Sequence, residues 1–388
     1  FKEGTWKPGA VFLPPVCRNQ LRESGGYRWL SSRQDLRPTR LEGLFSTSAS
    51  STARSTTTSG REEHKSIKMS GSPESKAYKV GVHWLKVLFQ IHLHLGGAYG
   101  LWLVFTQANF VTTLLCSVFV FLGMIGLTLG CHRLWAHRTY EAGVVMRTVL
   151  AALYTLTCQG SVYDWAITHR VHHQNHGTPL DPFNYKKGTF YCHVLSHCME
   201  NDPDIDRKKR HGDTKDLEED NVVWAQHWFI WLVVPIWGFL LPVNLGMTMG
   251  DSLTNSLFVL GFLRLVILLH MSWAVHSAFL VWGLDPKDRK SGETWLVFFI
   301  TKSLWPQYHY LLPWDYKSGE FGTYDSGVCT TVFKILSVLG LVENPTTISS
   351  EGVKKALAAA VETGKPLQDC LNAHKATLKD VIEETHHT

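Results

Sequence analysis

The sequence predicts an all-α integral membrane protein, with four transmembrane helices in two hairpins and a cytosolic cap rich in histidine. Three observations lead there. Residues 87–106, 111–130, 221–250 and 265–284 contain no Lys, Arg, Asp or Glu. Twenty helical residues at about 1.5 Å each reach about 30 Å, the thickness of a bilayer core. Only Gln107–Asn109 separates the first two runs, and so short a link makes an antiparallel hairpin. The third observation is that histidines crowd the polar stretches just beyond the apolar runs. The chain has 388 residues, 45% of them apolar and only 18% charged. A soluble multidomain enzyme is excluded by how those apolar residues are distributed.

Taken in order, residues 1–68 hold 12 basic and 6 acidic side chains, so the remaining residues carry −1 of the net +5. A basic, Ser/Thr-rich stretch can act as a nucleic-acid arm or a transit peptide. This one is too poor in periodic apolar residues to form a core. It is expected to be a disordered or translated upstream extension, and no nucleic-acid partner is expected. The first methionine, Met69, opens a cytosolic leader over 69–84. The membrane domain follows over 85–342, with spans at about 85–106, 110–130, 222–247 and 254–283. Between the hairpins, a helix over Thr148–Tyr163 is too short to span comfortably and is expected to be interfacial. Residues 343–388 form a cytosolic tail.

Orientation follows from charge. The two hairpin turns contain no Lys or Arg, whereas the central segment holds Arg133, Arg138, Arg147, Arg170, Lys186, Lys187 and the Arg207–Arg210 cluster. The positive-inside rule then puts both termini and the central segment in the cytosol. That cluster is expected to be a solvated face that can meet anionic membrane lipid. The eight cysteines include no CxxC pair. Cys116, Cys131 and Cys158 lie in or beside apolar segments, where Cys packs as a small hydrophobe.

The chemistry is expected where helices emerge into the cytosol. GCHRLWAHRTY places His132 and His137 beyond the second span, and THRVHHQ gathers His169, His172 and His173. On a helix, positions i, i+3 and i+4 share a face. His132 and His137 share a ligand only if the helix ends or distorts between them. Clustered imidazoles at membrane depth are costly and point to a metal site. Imidazole suits iron, zinc, copper and nickel alike.

GCHRLWAHRTY, VYDWAITHRVHHQ, the DP-N element at Asp181–Asn184, DLEEDNVVWAQHW and LLPWDY resemble the membrane acyl-CoA desaturases of the stearoyl-CoA (Δ9) type. The likeness runs in order from about Tyr78 to about Val342. It implies a non-haem di-iron centre, O2, and two electrons from a separate cytochrome b5 and its reductase. It also implies an endoplasmic reticulum membrane and a saturated C16–C18 acyl-CoA substrate that gains a cis double bond at Δ9 or nearby. Removing vicinal hydrogens from an unactivated alkyl chain exceeds side-chain acid–base chemistry, so the cofactor supplies it.

Six of the family's nine histidine ligands are kept: His132, His137, His169, His172, His173 and His309. The third box, HNYHH in the family, is Pro306-Gln307-Tyr308-His309-Tyr310, and a further family histidine falls on Leu280. His276, one helical turn before Leu280, and Tyr310, as a phenolate, are candidate replacements. A weakened or single-metal site is the expectation, with fewer than two irons per chain. Gln159, Trp165, Ser272 and Trp273 match positions shaping the family's acyl tunnel. Gly160-Ser161 and Ile167-Thr168 depart from residues that hold the CoA end there. Two alternatives stand beside a desaturase: a catalytically impaired relative that binds lipid or a partner, and a hydroxylase on the same scaffold. Cys192–Cys198 (CHVLSHC) offers zinc-type donors in an unfamiliar spacing. His92 and His94 are expected at interfaces or helix contacts, and His386 and His387 in a solvated tail.

Overall fold

The computed structural model describes residues 81–200, 202–281, 308–320 and 324–386. These belong to one unit, Ser75–Thr388. The 1–68 extension and most of the 69–84 leader lie outside the described residues. Four helices are long and apolar enough to cross a membrane: Trp84–Thr106 (α1), Phe110–Ala136 (α2), Ile230–Thr248 and Leu253–Ser277. With almost no strand around them, they make the chain an all-α multi-pass membrane protein.

The first hairpin turns at Gln107–Asn109, where Asn109 caps α2 by accepting from Thr112 N at 2.7 Å. The second turns at Asp251, and the two turns are tied together. Asn109 N donates to Asp251 Oδ2 at 3.0 Å, and Asn255 Nδ2 donates to Asp251 Oδ1 at 2.7 Å and to Gln107 O at 3.2 Å. Above the turns, α1 lies close on the fourth span along a stripe of glycines. A Cβ at Gly100 would stand 2.2 Å from Phe258 O, and one at Gly97 would stand 2.7 Å from Val266. Small residues are what allow membrane helices to approach so closely.

Three boundaries differ from the sequence expectation. The second span does not stop at residue 130; it continues as a π-helix, Gly126–Ala136. The third does not begin at 222. Asn221–Trp228 is a separate helix, capped by the Asp220 carboxylate, and the chain bends at Phe229 before Ile230. The expected Thr148–Tyr163 helix is two helices, α3 (Val144–Thr155) and α4 (Val162–Gln174). Between them Cys158 (φ 53) and Gly160 (φ 88) turn the backbone through the left-handed region. Uniform apolarity cannot signal a backbone break, which is why sequence missed both bends.

Arg264, fully buried in the fourth span, secures the α3–α4 turn. It donates to Leu156 O at the end of α3, to Gly238 O in the third span, and to its own Leu260 O. The largest buried cluster packs the end of α2 against α3 and α4, through Leu127, Leu129, Leu150, Tyr154, Val162 and Ala166. The tail is anchored by a two-stranded antiparallel ladder, Thr346–Thr347 with Ala376–Thr377. A helix over Ser350–Thr363 packs with Leu312 and Trp314. The histidine-bearing ends of α2 and α4 are thus fixed by core packing.

Candidate metal centre

The π-helix at the end of α2 resolves the spacing of its two histidines. Hydrogen bonds there run i→i+5, including His137 N–H to His132 O at 3.0 Å, so residues five apart stack over one another. His132 Nε2 and His137 Nε2 lie 3.2 Å apart. His137 Nε2 is also 2.9 Å from His169 Nε2 on α4, and His132 Nε2 is 3.2 Å from His309 Nε2 on the short helix Tyr308–Leu311. His173 joins them, its ring centroid 4.4 Å from that of His137 and 4.9 Å from that of His309.

Hydrogen bonding alone does not account for this arrangement. A neutral imidazole has one N–H, yet His132 Nε2 and His137 Nε2 each face two other ring nitrogens. His173 Nε2 is buried with no hydrogen-bond partner among the described residues. Two nitrogens about 2.1 Å from a metal and at right angles to it stand about 3.0 Å apart. The observed 2.9–3.2 Å separations match that spacing.

The rings are also braced from behind. His132 Nδ1 is 3.2 Å from the buried Glu320 carboxylate, which Arg133 clamps from Nε at 2.6 Å and Nη2 at 3.1 Å. His309 Nδ1 meets Ser318 Oγ at 3.2 Å, and His172 Nδ1 meets Asp181 Oδ1 at 2.7 Å. Metal-binding histidines characteristically hold a carboxylate or other acceptor on the second ring nitrogen. Burial, reinforced by neighbouring imidazoles, holds His137, His169, His173 and His309 well below the usual histidine range, and therefore neutral. Burial acts to raise Glu320, but Arg133 and His132 outweigh it and keep the carboxyl ionised, below its usual range.

The remaining predicted site residues lie around that cluster in four places. His276 does not face the four Nε2 atoms; its own Nε2 lies 3.0 Å from His169 Nδ1, and its ring stacks on Phe183. The Tyr310 hydroxyl lies 3.2 Å from His172 Nε2, and burial raises its pKa well above the ordinary phenol value. Trp165 stacks on His169 at 5.0 Å and donates to Ser272 Oγ at 3.2 Å, while Gln159 Nε2 donates to Leu268 O. Trp273 stacks on His197 instead, at 4.8 Å. Pro306, His387 and the side chains of Leu280 and His386 lie outside the described residues.

The CHVLSHC donors do not converge. Cys192 donates to His276 O, and His193 bridges Ser277 Oγ and His270 Nδ1. His94 completes that chain at 3.1 Å from His270 Nε2, while His92 bonds to Leu88 O in its own helix. Sequence reasoning missed Glu320, 188 residues from His132, because nothing local marks it out. An open cavity of about 250 Å³ adjoins the cluster, lined in part by His137, Arg138, Arg170 and Lys375.

No family model matches the chain. Among curated proteins, it is 34% identical over 288 residues to the acyl-CoA Delta12-desaturase of Acheta domesticus, covering 73% of this chain and 81% of that protein. It is likewise 34% identical over 277 residues to the acyl-CoA Delta-9 desaturase of the same organism, covering 69% and 77%. To stearoyl-CoA desaturase 4 of Mus musculus it is 32% identical over 285 residues, covering 72% and 79%.

Proposed function

This chain belongs to the acyl-CoA desaturase family, and on that premise we propose that it introduces a cis double bond into a saturated C16–C18 acyl-CoA at Δ9 or nearby. Its relatives are oxidoreductases. The observation that carries the reading is the convergence of imidazole nitrogens 2.9–3.2 Å apart on one point. His132, His137, His169, His173 and His309 would hold iron there. Bound iron, with O2 and electrons, supplies the oxidant needed to attack an unactivated alkyl chain.

The protein's own contribution is positional. Glu320 and Ser318 fix the rings of His132 and His309, and burial keeps the imidazole lone pairs free of protons. Trp165, held by Ser272 and stacked on His169, forms a wall between the cluster and the expected acyl pocket. Gln159, which donates to Leu268 O from the α3–α4 turn, and Ser272 and Trp273 on the fourth span would shape the rest of that pocket. Cytochrome b5 and its reductase are the proposed electron source. The proposed setting is the endoplasmic reticulum membrane, with both termini and the histidine cluster in the cytosol. Residues 85–342 would then be the catalytic domain, followed by the 343–388 tail. Relatives named for Delta12 and Delta-9 activity match at equal identity, and the proposed position, Δ9 or nearby, rests on the likeness of the motifs to the Δ9 type.

A second reading, a catalytically impaired relative, is favoured by Pro306, Tyr310 and Leu280 at family histidine positions. Expression in a desaturase-deficient yeast with fatty-acid profiling separates the two. New monounsaturated C16 or C18 chains, abolished by His169→Ala, are the expected result. Rescue only by the Pro306→His/Tyr310→His/Leu280→His triple variant would establish the impaired reading.

A further inference from the structure

Four histidines of the candidate centre have the second ring nitrogen matched to a partner: His132 to Glu320, His309 to Ser318, His172 to Asp181 and His169 to His276. His137 does not. Its Nε2 faces His132 and His169, and no group among the described residues meets its Nδ1. A histidine that offers one nitrogen to a metal carries its proton on the other and donates it to a carboxylate, a carbonyl or water. His137 is also one of the residues lining the open cavity of about 250 Å³ at the end of α2.

The other walls of that cavity repeat the pattern. Lys375 lines it, with its ammonium 5.4 Å from the Trp314 ring centroid and no carboxylate partner among the described residues. Burial, then the nearby Arg138, lowers its pKa from the ordinary lysine value, as expected of an uncompensated cation. Gln174, the last residue of α4, has an exposed side-chain amide that forms no hydrogen bond among the described residues. Arg138 and Arg170 also line the cavity, but they are held by Asp213 and Asp216. Donors therefore outnumber acceptors, since three cations stand against two carboxylates already in ion pairs. Lys375 is held in place on both sides. Asn372 accepts from Trp314 Nε1 at 2.8 Å, and Ala376–Thr377 pairs with Thr346–Thr347. At about 250 Å³ the cavity is smaller than the roughly 300–1,000 Å³ of pockets for drug-sized ligands, which suits a small anion.

We propose that this cavity binds a small anion through a carboxylate or phosphate oxygen, which accepts from Lys375, Gln174 and the Nδ1–H of His137. The ligand neutralises the ammonium and completes the hydrogen bonding of His137, as Glu320 does for His132. Lys375 belongs to the 343–388 tail, so the tail contributes directly to the surroundings of the cluster. The His137 contact rests on the cluster being an iron site, because Nδ1 carries the proton when Nε2 binds metal. The Lys375 and Gln174 contacts do not depend on that reading.

The test is anaerobic isothermal titration calorimetry of the full chain in detergent, both iron(II)-loaded and metal-free. Acetate and inorganic phosphate are the two probes, with chloride at matched ionic strength as the control. Saturable binding of one anion per chain is expected, and the tighter probe identifies the group that the site takes. Lys375→Gln and Gln174→Leu should each weaken binding about tenfold in both forms, the loss of one hydrogen bond to a charged group. Lys375→Arg should retain it, and melting temperatures matched to wild type separate lost binding from lost fold. Tighter binding by the iron-loaded wild type than by the metal-free protein supports the His137 contact, and equal binding by the two forms overturns it. An anion bound to the metal itself would be insensitive to Lys375→Gln. No saturable binding of either probe, or binding unaltered by Lys375→Gln, overturns the proposal. Protein that takes up no iron yet binds an anion through Lys375 overturns the iron reading and leaves this site standing.

Discussion

Glu320 shows how a single side chain governs the candidate centre without touching the reacting atoms. It accepts from Arg133 while facing His132 Nδ1, so the ring that offers Nε2 to the cluster is held in one orientation. Loss of such an outer carboxylate typically weakens metal affinity by about 10–100-fold. Glu320→Gln is expected to fall in that range, measured as the iron(II) dissociation constant, with helicity by circular dichroism unchanged. The buried imidazoles also predict a pH dependence. His137, His169, His173 and His309 are held well below their usual range when folded, chiefly by burial. The unfolded chain therefore binds more protons below about pH 6.5, and stability rises with pH through that window. The melting temperature of metal-free protein should hold steady above about pH 6.5 and fall as the pH is lowered beneath it. His169 and His173, at i and i+4, were legible in the sequence because helical geometry brings them together, whereas His172, at i+3, turns instead to Asp181 and Tyr310. Glu320 was not, since its place behind His132 depends on a contact across the fold.

At the scale of elements, the π-helix at the end of α2 makes the site possible. A regular helix would separate His132 and His137 by about 140°, whereas i→i+5 bonding stacks them. The sequence reading posed this as a condition, a distorted helix, without the means to choose it. The four spans were legible because 20-residue runs free of charge have few other uses. The bends at Phe229 and at Cys158–Gly160 were not, as their flanks are equally apolar. Two elements carry measurable consequences. Gly100→Leu would press a side chain into Phe258 O, 2.2 Å from the new Cβ. It should lower the yield of folded protein and its melting temperature sharply, whereas Gly143→Ala, with nothing within 4 Å, should change neither. Asp251→Ala unties the two hairpin turns by removing hydrogen bonds to a charged acceptor, with an expected loss of about 1–2 kcal/mol of stability.

For the molecule as a whole, the fold brings chemistry to one end of an apolar bundle. Both hairpin turns, tied through Asp251, close the opposite end. The histidines emerge where α2, α4 and the fourth span meet. The segment before the tail and the tail itself pack back over this end: Arg133 donates to Tyr316 O, and Thr346 Oγ1 to Thr139 O. Family membership was legible because the ordered motifs cover most of the chain. The most direct test is the iron content of purified wild-type protein beside His137→Ala and His173→Ala. The account predicts stoichiometric iron in the wild type, lost from the cluster in each variant together with the monounsaturated product in yeast. Wild-type protein that takes up no iron under any reconstitution, or a His137→Ala variant that keeps the full complement, would contradict it.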